Sequence, residues 1–377
     1  MRKLIDKNLR KKNRGYILRL VALTLVMALA VTMCFSGCGN KNSNYDPLEG
    51  VETTTVTDDT GREVEIPKDI TAIAPSGSTA TMMLLPIASD LLVGLASSPS
   101  SDQIKYMPEE IVYLPTFGQF YGSKSTLNME SLIDAKPQVI IDLGDKKNTI
   151  RKDMASIQNQ TGIPTLFYEG SLRKMADTYR TLGQLFGREE EAEEIAKFID
   201  KTIAMAEEKS AQIDEKDKIK ILYGTGATGL AVNAKGSSQA QVIDLIGAEN
   251  AVVPEEITDK GGGTIVNMES LYKDEPDMII LAEGGPYGEL KSNEWSELKA
   301  VKNDKFYEIP GDPYSWMSAP PSVNMVLGVW WLGQLAYPDV YNDYDMVEVA
   351  QEYYKLFWHY DLSEDEAKEM LSKSYFK

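Results

Sequence analysis

Two periods alternate along the body of the chain. Short apolar runs read as buried strands: ITAIAP at 70–75, LLVGLA at 91–96, QVIIDL at 138–143 and IPTLFY at 163–168. Amphipathic or apolar helical stretches separate them, TATMMLLPI at 79–87 and IRKDMASIQNQTG at 150–162, the latter stopped by Gly162. Ahead of them, TTTVTDDTGREVEIP at 53–67 predicts a hairpin with DDTG as its turn. From Met175 to about Ile213 strand signals vanish. That stretch predicts two helices split at Gly187, the second carrying Ile195, Phe198, Ile199 and Ile203 on one stripe. The alternation then restarts. KIKILY at 218–223, DMIILA at 277–282 and KFYEIP at 305–310 read as strands. SSQAQVIDLIGAEN, EWSELKAVKN and PPSVNMVLGVWWLGQLAYP read as helices, the last with proline in its first turn. Two more helices are expected near 344–358 and 363–373. Strands alternating with helices predict an α/β fold with mostly parallel sheets covered on both faces. The plan is lobe, long helix, lobe: an N-terminal lobe at 51–174, a helical connection at 175–214 and a C-terminal lobe at 215–377.

A repeat supports two sister lobes. NMESL occurs at 128–132 and again at 267–271. Pro137 and Pro276 follow the two copies at the same distance, and an apolar strand follows each proline. The repeated unit is a short helix, a proline and a buried strand.

The ends and the composition narrow the class. Residues 1–19 carry eight Lys or Arg and one Asp, Leu20–Met33 are nearly all apolar, and FSGC ends at Cys38. This is the three-part pattern of a secretory signal, 1–37, with an apolar core short for a membrane span. The competing reading is an uncleaved anchor helix. The chain's two cysteines, Cys34 and Cys38, both lie in or beside this segment, so the rest of the chain has no thiol for a disulfide. Residues 38–50 read as a polar tether. The formal net charge is −18, and without residues 1–37 it becomes −25. Such a body should repel nucleic acid and anionic lipid.

FSGC, VTDDTGREVEIP, NMESLIDAKPQVII, the single long helix and PYSWMSAPPSVNMVLGVWWLGQLAYPD occur in an order that resembles the substrate-binding proteins of ABC importers for iron–siderophore complexes, haem and cobalamin. The resemblance implies two α/β lobes joined by one long rigid helix, with the ligand in the cleft between them. FSGC is similar to a lipobox with Phe35 at the usual leucine position, which implies a lipid on Cys38 and residence on the extracytoplasmic face of the membrane. It implies that Glu130 and Glu269 dock onto a permease dimer served by ATPase subunits. A twofold partner needs one matching charge from each lobe. Helix capping by Asn128 and Asn267, with a glutamate in the first turn, would explain either glutamate but not the paired copies.

Cargo contacts are expected in strand-to-helix loops. In the first lobe these are Ser76, Ser78, Phe117, Phe120 and Tyr121; in the second, Tyr223, Thr225, Tyr287, Tyr314, Trp316 and Met317, with Trp316 foremost. Loop aromatics suit a large, flat or amphipathic ligand. Where many relatives carry arginine beside PPSVN, Ala319 and Met325 stand here, and PSGST offers no base. That argues against a strongly anionic cargo and against an oxyanion such as molybdate.

Other chemistry is thinly supported. YGTGATG at 223–229 contains G-x-G-x-x-G, but a dinucleotide site needs a helix opening inside the motif, and LAV follows. The lone histidine, His359, would have to serve any Ser-His-Asp centre. No His or Cys cluster suggests a bare metal ion. The expectation is therefore a monomeric binding protein without catalysis or resident cofactor, carrying a chelated metal. An extracytoplasmic two-lobed enzyme remains the alternative from another class.

Overall fold

The computed structural model describes residues 45–122, 125–254, 263–372 and 374. The signal 1–37, Cys38 and the first part of the tether lie outside the described residues. Tyr45–Lys377 form one compact unit. The ordered body begins earlier than the expected tether boundary: the Tyr45 hydroxyl donates to the carbonyls of Lys136 (2.8 Å) and Pro137 (3.0 Å).

Strands β1 (Thr53–Thr57) and β2 (Glu63–Pro67) form the expected antiparallel hairpin. Asp58 fastens its turn, accepting from the Thr60 and Arg62 amides at 2.9 and 3.0 Å. The first lobe's main sheet is fully parallel, in the order β3 (Ile73–Pro75), β4 (Val139–Gly144), β5 (Thr165–Glu169). Helix α1 (Ser78–Ala88) is buried along almost its whole length. Helices α2 (Met129–Asp134) and α3 (Ile150–Thr161) follow, α3 ending on left-handed Gly162. LLVGLA is not a strand: Leu92 and Leu95 make only isolated bridges. The ring of Phe117 presses on Gly94 so closely that a Cβ there would lie 2.1 Å from it, and a glycine weakens a strand interior.

Gly187, in the left-handed region at φ 67°, divides α4 (Met175–Phe186) from α5 (Glu189–Ser210) as expected. Twenty-two residues make α5 about 33 Å long. Its stripe enters a core that also takes residues from both lobes. Phe198 touches Trp330 and Phe357, with ring centroids 6.4 and 5.8 Å away, and Trp330 Nε1 donates to Thr202 at 2.7 Å.

The second lobe's sheet runs β11 (Phe306–Glu308), β10 (Met278–Leu281), β6 (Lys220–Thr225), β7 (Ala231–Val232), β9 (Thr264–Ile265), with β8 (Glu249–Asn250) also on β6. The β11–β10–β6 part is parallel; β7 and β9 are antiparallel. Helix α6 (Met268–Asp274) precedes β10. Two expected helices are shorter than their patterns. The 237–250 helix keeps only a 3-10 turn and Gln241–Leu245, stopping before left-handed Gly247. EWSELKAVKN breaks at Leu298, whose backbone is extended. Helix α7 (Asn324–Ala336) starts after the prolines rather than on them.

Helices α8 (Met346–Trp358) and α9 (Glu364–Leu371) close the chain. They do not belong to the second lobe alone, which revises the 215–377 boundary. Helix α8 packs on α1 and α5, Phe357 meets Tyr179 of α4 at 6.4 Å, and Glu366 of α9 pairs with Lys105 at 2.6 Å. His359 caps α8 and its Nε2 lies 3.1 Å from the Pro86 carbonyl of α1. The lobes are thus joined by the long helix and by this terminal strap.

Candidate functional site

A cavity of about 830 Å³ lies between the lobes. From the first lobe Tyr121, Asp145, Lys147 and Asp153 line it; from the second, Asn233, Lys235, Ser237 and Gln241. The loop after β4 supplies most of the first wall, because parallel strands all release their loops at one edge. The second wall comes from the chain leaving β7, held by the Asn233 amide donating to Tyr223 O at 2.9 Å. A smaller inter-lobe cavity of about 330 Å³ is lined by Ser78, Thr81, Ser97, Tyr314 and Ala319.

The eleven expected contacts separate by burial. Tyr121 lines the large cavity; Ser78 and Tyr314 line the small one. Tyr314 also stacks on Trp358, with ring centroids 5.6 Å apart. Thr225 and Tyr287 are half-buried beside the glycine turn and the β10 loop. Thr225 Oγ1 donates to Ala231 O at 2.6 Å and Tyr287 packs on Phe306 at 5.5 Å. The other six are enclosed, so the structure corrects them as cargo contacts. Phe117 and Phe120 pack together inside the first lobe. Tyr223 is 1 % exposed and its hydroxyl is bonded to Ser318 at 2.9 Å. Trp316, the foremost candidate, is 1 % exposed, with Nε1 3.4 Å from the Tyr354 hydroxyl. Met317 is fully buried near Gly328 of α7. Ser76 is buried and gives its hydroxyl to Asp142.

The sequence reading missed Asp142 and the charged residues of the large cavity. Asp142 sits in the central strand β4, 3 % exposed, and also accepts from the Tyr121 hydroxyl at 2.8 Å. Burial pushes its carboxyl up to about 6, against the downward pull of the Ser76 and Tyr121 hydrogen bonds and of Lys147. A carboxylate inside the apolar run QVIIDL was the available signal. Lys146, Lys147 and Lys235 line the cavity too, so the expected scarcity of bases at the cleft is corrected. The polar loops GDKKNT and NAKGSS carried that information.

The glycine-rich motif builds no dinucleotide site. It turns β6 back into antiparallel β7, with Gly226 and Gly229 both left-handed, and no helix opens within it.

Glu130 and Glu269 are both exposed in the first turn of their helices. Asn128 and Asn267 cap those helices, accepting from the Ser131 and Ser270 amides at 3.1 and 2.8 Å. Both helix starts adjoin the loop edge of their sheet. The Asn128 amide donates to Phe117 O, in the segment whose Phe120 amide reaches Ser76 O at the end of β3. Val266, just before Asn267, donates to Leu230 O beside the glycine turn.

A family model described as periplasmic binding protein matches residues 73–313. The chain is 22 % identical over 327 residues to YvrC of Bacillus subtilis (strain 168), described as an uncharacterized ABC transporter substrate-binding lipoprotein, covering 84 % of this chain and 96 % of that one. It is 26 % identical over 252 residues to IsdE of Staphylococcus aureus (strain Newman), a high-affinity heme uptake system protein, covering 64 % and 80 %. Among solved structures, an ABC transporter solute binding protein from Sulfurospirillum deleyianum DSM 6946 superposes with a TM-score of 0.76 at 26 % identity, covering 86 % of this chain and 99 % of that one.

Proposed function

The chain belongs to the periplasmic binding protein family as a substrate-binding protein of an ABC importer, and we propose that its cargo is a chelated metal held in the large inter-lobe cavity. The cavity volume carries this reading. A bare ion needs only a few ligands at about 2 Å, whereas about 830 Å³ suits a whole small molecule. The heme uptake protein among its relatives supports an iron complex such as haem, a siderophore or a corrinoid. The lysines beside Asp145 and Asp153 suit a cargo with both anionic and donor groups. The same lysines favour a second reading, an oxyanion.

The protein has no chemistry of its own in this proposal. It works as an extracytoplasmic monomer, anchored through a lipid on Cys38, a reading supported by the relative described as a lipoprotein. Glu130 and Glu269 meet the two halves of the permease, supported by their exposure and matched capping.

The test is a visible spectrum of the purified domain, then titration with haemin, a ferric hydroxamate, cobinamide and molybdate. One of the three chelates should bind with a Kd of about a micromolar or below. Binding of molybdate alone would transfer the case to the oxyanion, and turnover of any bound compound would return it to an enzyme.

A further inference from the structure

Three side chains from three segments converge where the first lobe meets the large cavity. Ser76 follows β3, Asp142 lies in the buried part of β4, and Tyr121 lies in the segment between α1 and α2. Among the described residues each carboxylate oxygen has one hydrogen-bond partner: Oδ1 accepts from the Ser76 hydroxyl and Oδ2 from the Tyr121 hydroxyl at 2.8 Å. Tyr121 is the member of the cluster that reaches the cavity. A phenol has one hydrogen to donate, and here it points at Asp142. The Tyr121 oxygen therefore has only lone pairs left for a cargo.

We propose that Asp142 is a positioning residue: by accepting the Tyr121 hydrogen bond it makes that wall of the cavity a hydrogen-bond acceptor, selecting cargo that presents N–H, O–H or cationic groups there. This rests on the large cavity being the cargo site. Protonation of Asp142 would reverse the arrangement. A carboxylic acid must donate its own proton, to Tyr121 or Ser76, and the released hydroxyl can then turn its hydrogen elsewhere. Among the described residues, the charged groups facing the cluster are Lys147 from the loop after β4, which favours ionised Asp142, and Asp153 from α3, which opposes it; Asp145 acts on Tyr121. Burial brings the midpoint to about 6, so the polarity of this wall is set within an accessible pH range.

Two measurements test this. The first needs no cargo: carbon-13 NMR of carboxyl-labelled aspartate and ring-labelled tyrosine, from about pH 4 to about pH 8. One aspartate carboxyl and the Tyr121 ring carbon bearing oxygen should titrate together, and both transitions should disappear in Asp142→Asn. Separate titration, or persistence in Asp142→Asn, overturns the proposal. The second uses haemin. Its Kd in the natural protein should change about threefold or more across that interval and stay flat in Asp142→Asn and in Tyr121→Phe. The same pH profile in all three proteins would overturn the proposal. Failure of haemin to bind at all counts against the haem reading of the cargo, while the NMR result still decides the role of Asp142.

Discussion

The two NMESL units are near copies in structure as well as in sequence, and they part company where their strands reach the cleft. Each helix is capped by its asparagine. Each ends before a left-handed residue ahead of the proline, Lys136 at φ 51° and Glu275 at φ 46°. The residue after each proline then ties its strand to the neighbour. Gln138 accepts from the Thr71 amide at 2.7 Å, and Asp277 from the Lys220 amide at 2.9 Å. Strands β4 and β10 each run parallel between two partners. At the cleft end the likeness stops. Asp142 in the first unit corresponds to Leu281 in the second, and Ser76 to Gly224. Leu281 is fully buried in an apolar cluster that includes Trp295 and Phe306, whereas Asp142 is buried against two hydroxyls. The helix halves of the sister units are alike; the strand ends differ.

Placing the first lobe's chemistry in the second should have the largest effect on stability. Leu281→Asp buries a carboxylate with no hydroxyl partners and should cost about 3–5 kcal/mol in urea unfolding. A loss below about 1 kcal/mol would mean that the second lobe tolerates a charge there and that the contrast is trivial.

Next comes Asp142→Asn, followed by unfolding against pH. The folded carboxyl lies above its ordinary value of 3.8, at about 6. Its contribution is therefore most favourable below about 4 and is lost as pH rises through about 6. The natural protein should lose up to about 3 kcal/mol relative to Asp142→Asn between those limits. A constant difference between the two proteins over this range would remove the buried charge from the comparison.

The caps should differ by less. Asn267 belongs to a full capping box with Ser270, while Asn128 caps without one. Asn267→Ala should cost about 1–2 kcal/mol and Asn128→Ala about 1 kcal/mol or less. Equal costs would deny the box any role.

The glutamates should matter least to folding and most to transport. Glu130→Lys with Glu269→Lys should cost below about 1 kcal/mol each through the helix dipole. Together they should abolish uptake while cargo affinity is kept, which uptake assays and binding titrations can read separately. Uptake that survives the double reversal would end the docking proposal.

The parallel strands β3, β4, β5, β6, β10 and β11, the break at Gly187, the long helix and the hairpin were legible in the sequence. Each rests on local periodicity or on a residue with a special backbone preference. The LLVGLA run was misleading because a ring from twenty-odd residues away occupies the space beside Gly94. Among the eleven cleft residues, position in a loop was legible and exposure was not. Trp316 lies in a loop between strand and helix, as read, yet it is covered by Tyr354, thirty-eight residues later on α8. Loop polarity proved a better guide to the cavity than loop aromaticity: GDKKNT and NAKGSS line it, while most of the aromatic loop residues fill the core.

By itself the sequence determined the main strands and helices and their order, the duplication of the NMESL unit and the acidic character of the body, because these depend on residues close together in the chain or on sums over it. The tertiary structure alone decided that α8 and α9 strap the two lobes together, that Trp316 and Tyr223 are enclosed, and that Asp142 meets Ser76 and Tyr121. Those outcomes depend on which distant segments share one volume. A buried polar group must find its partner there wherever the fold supplies one.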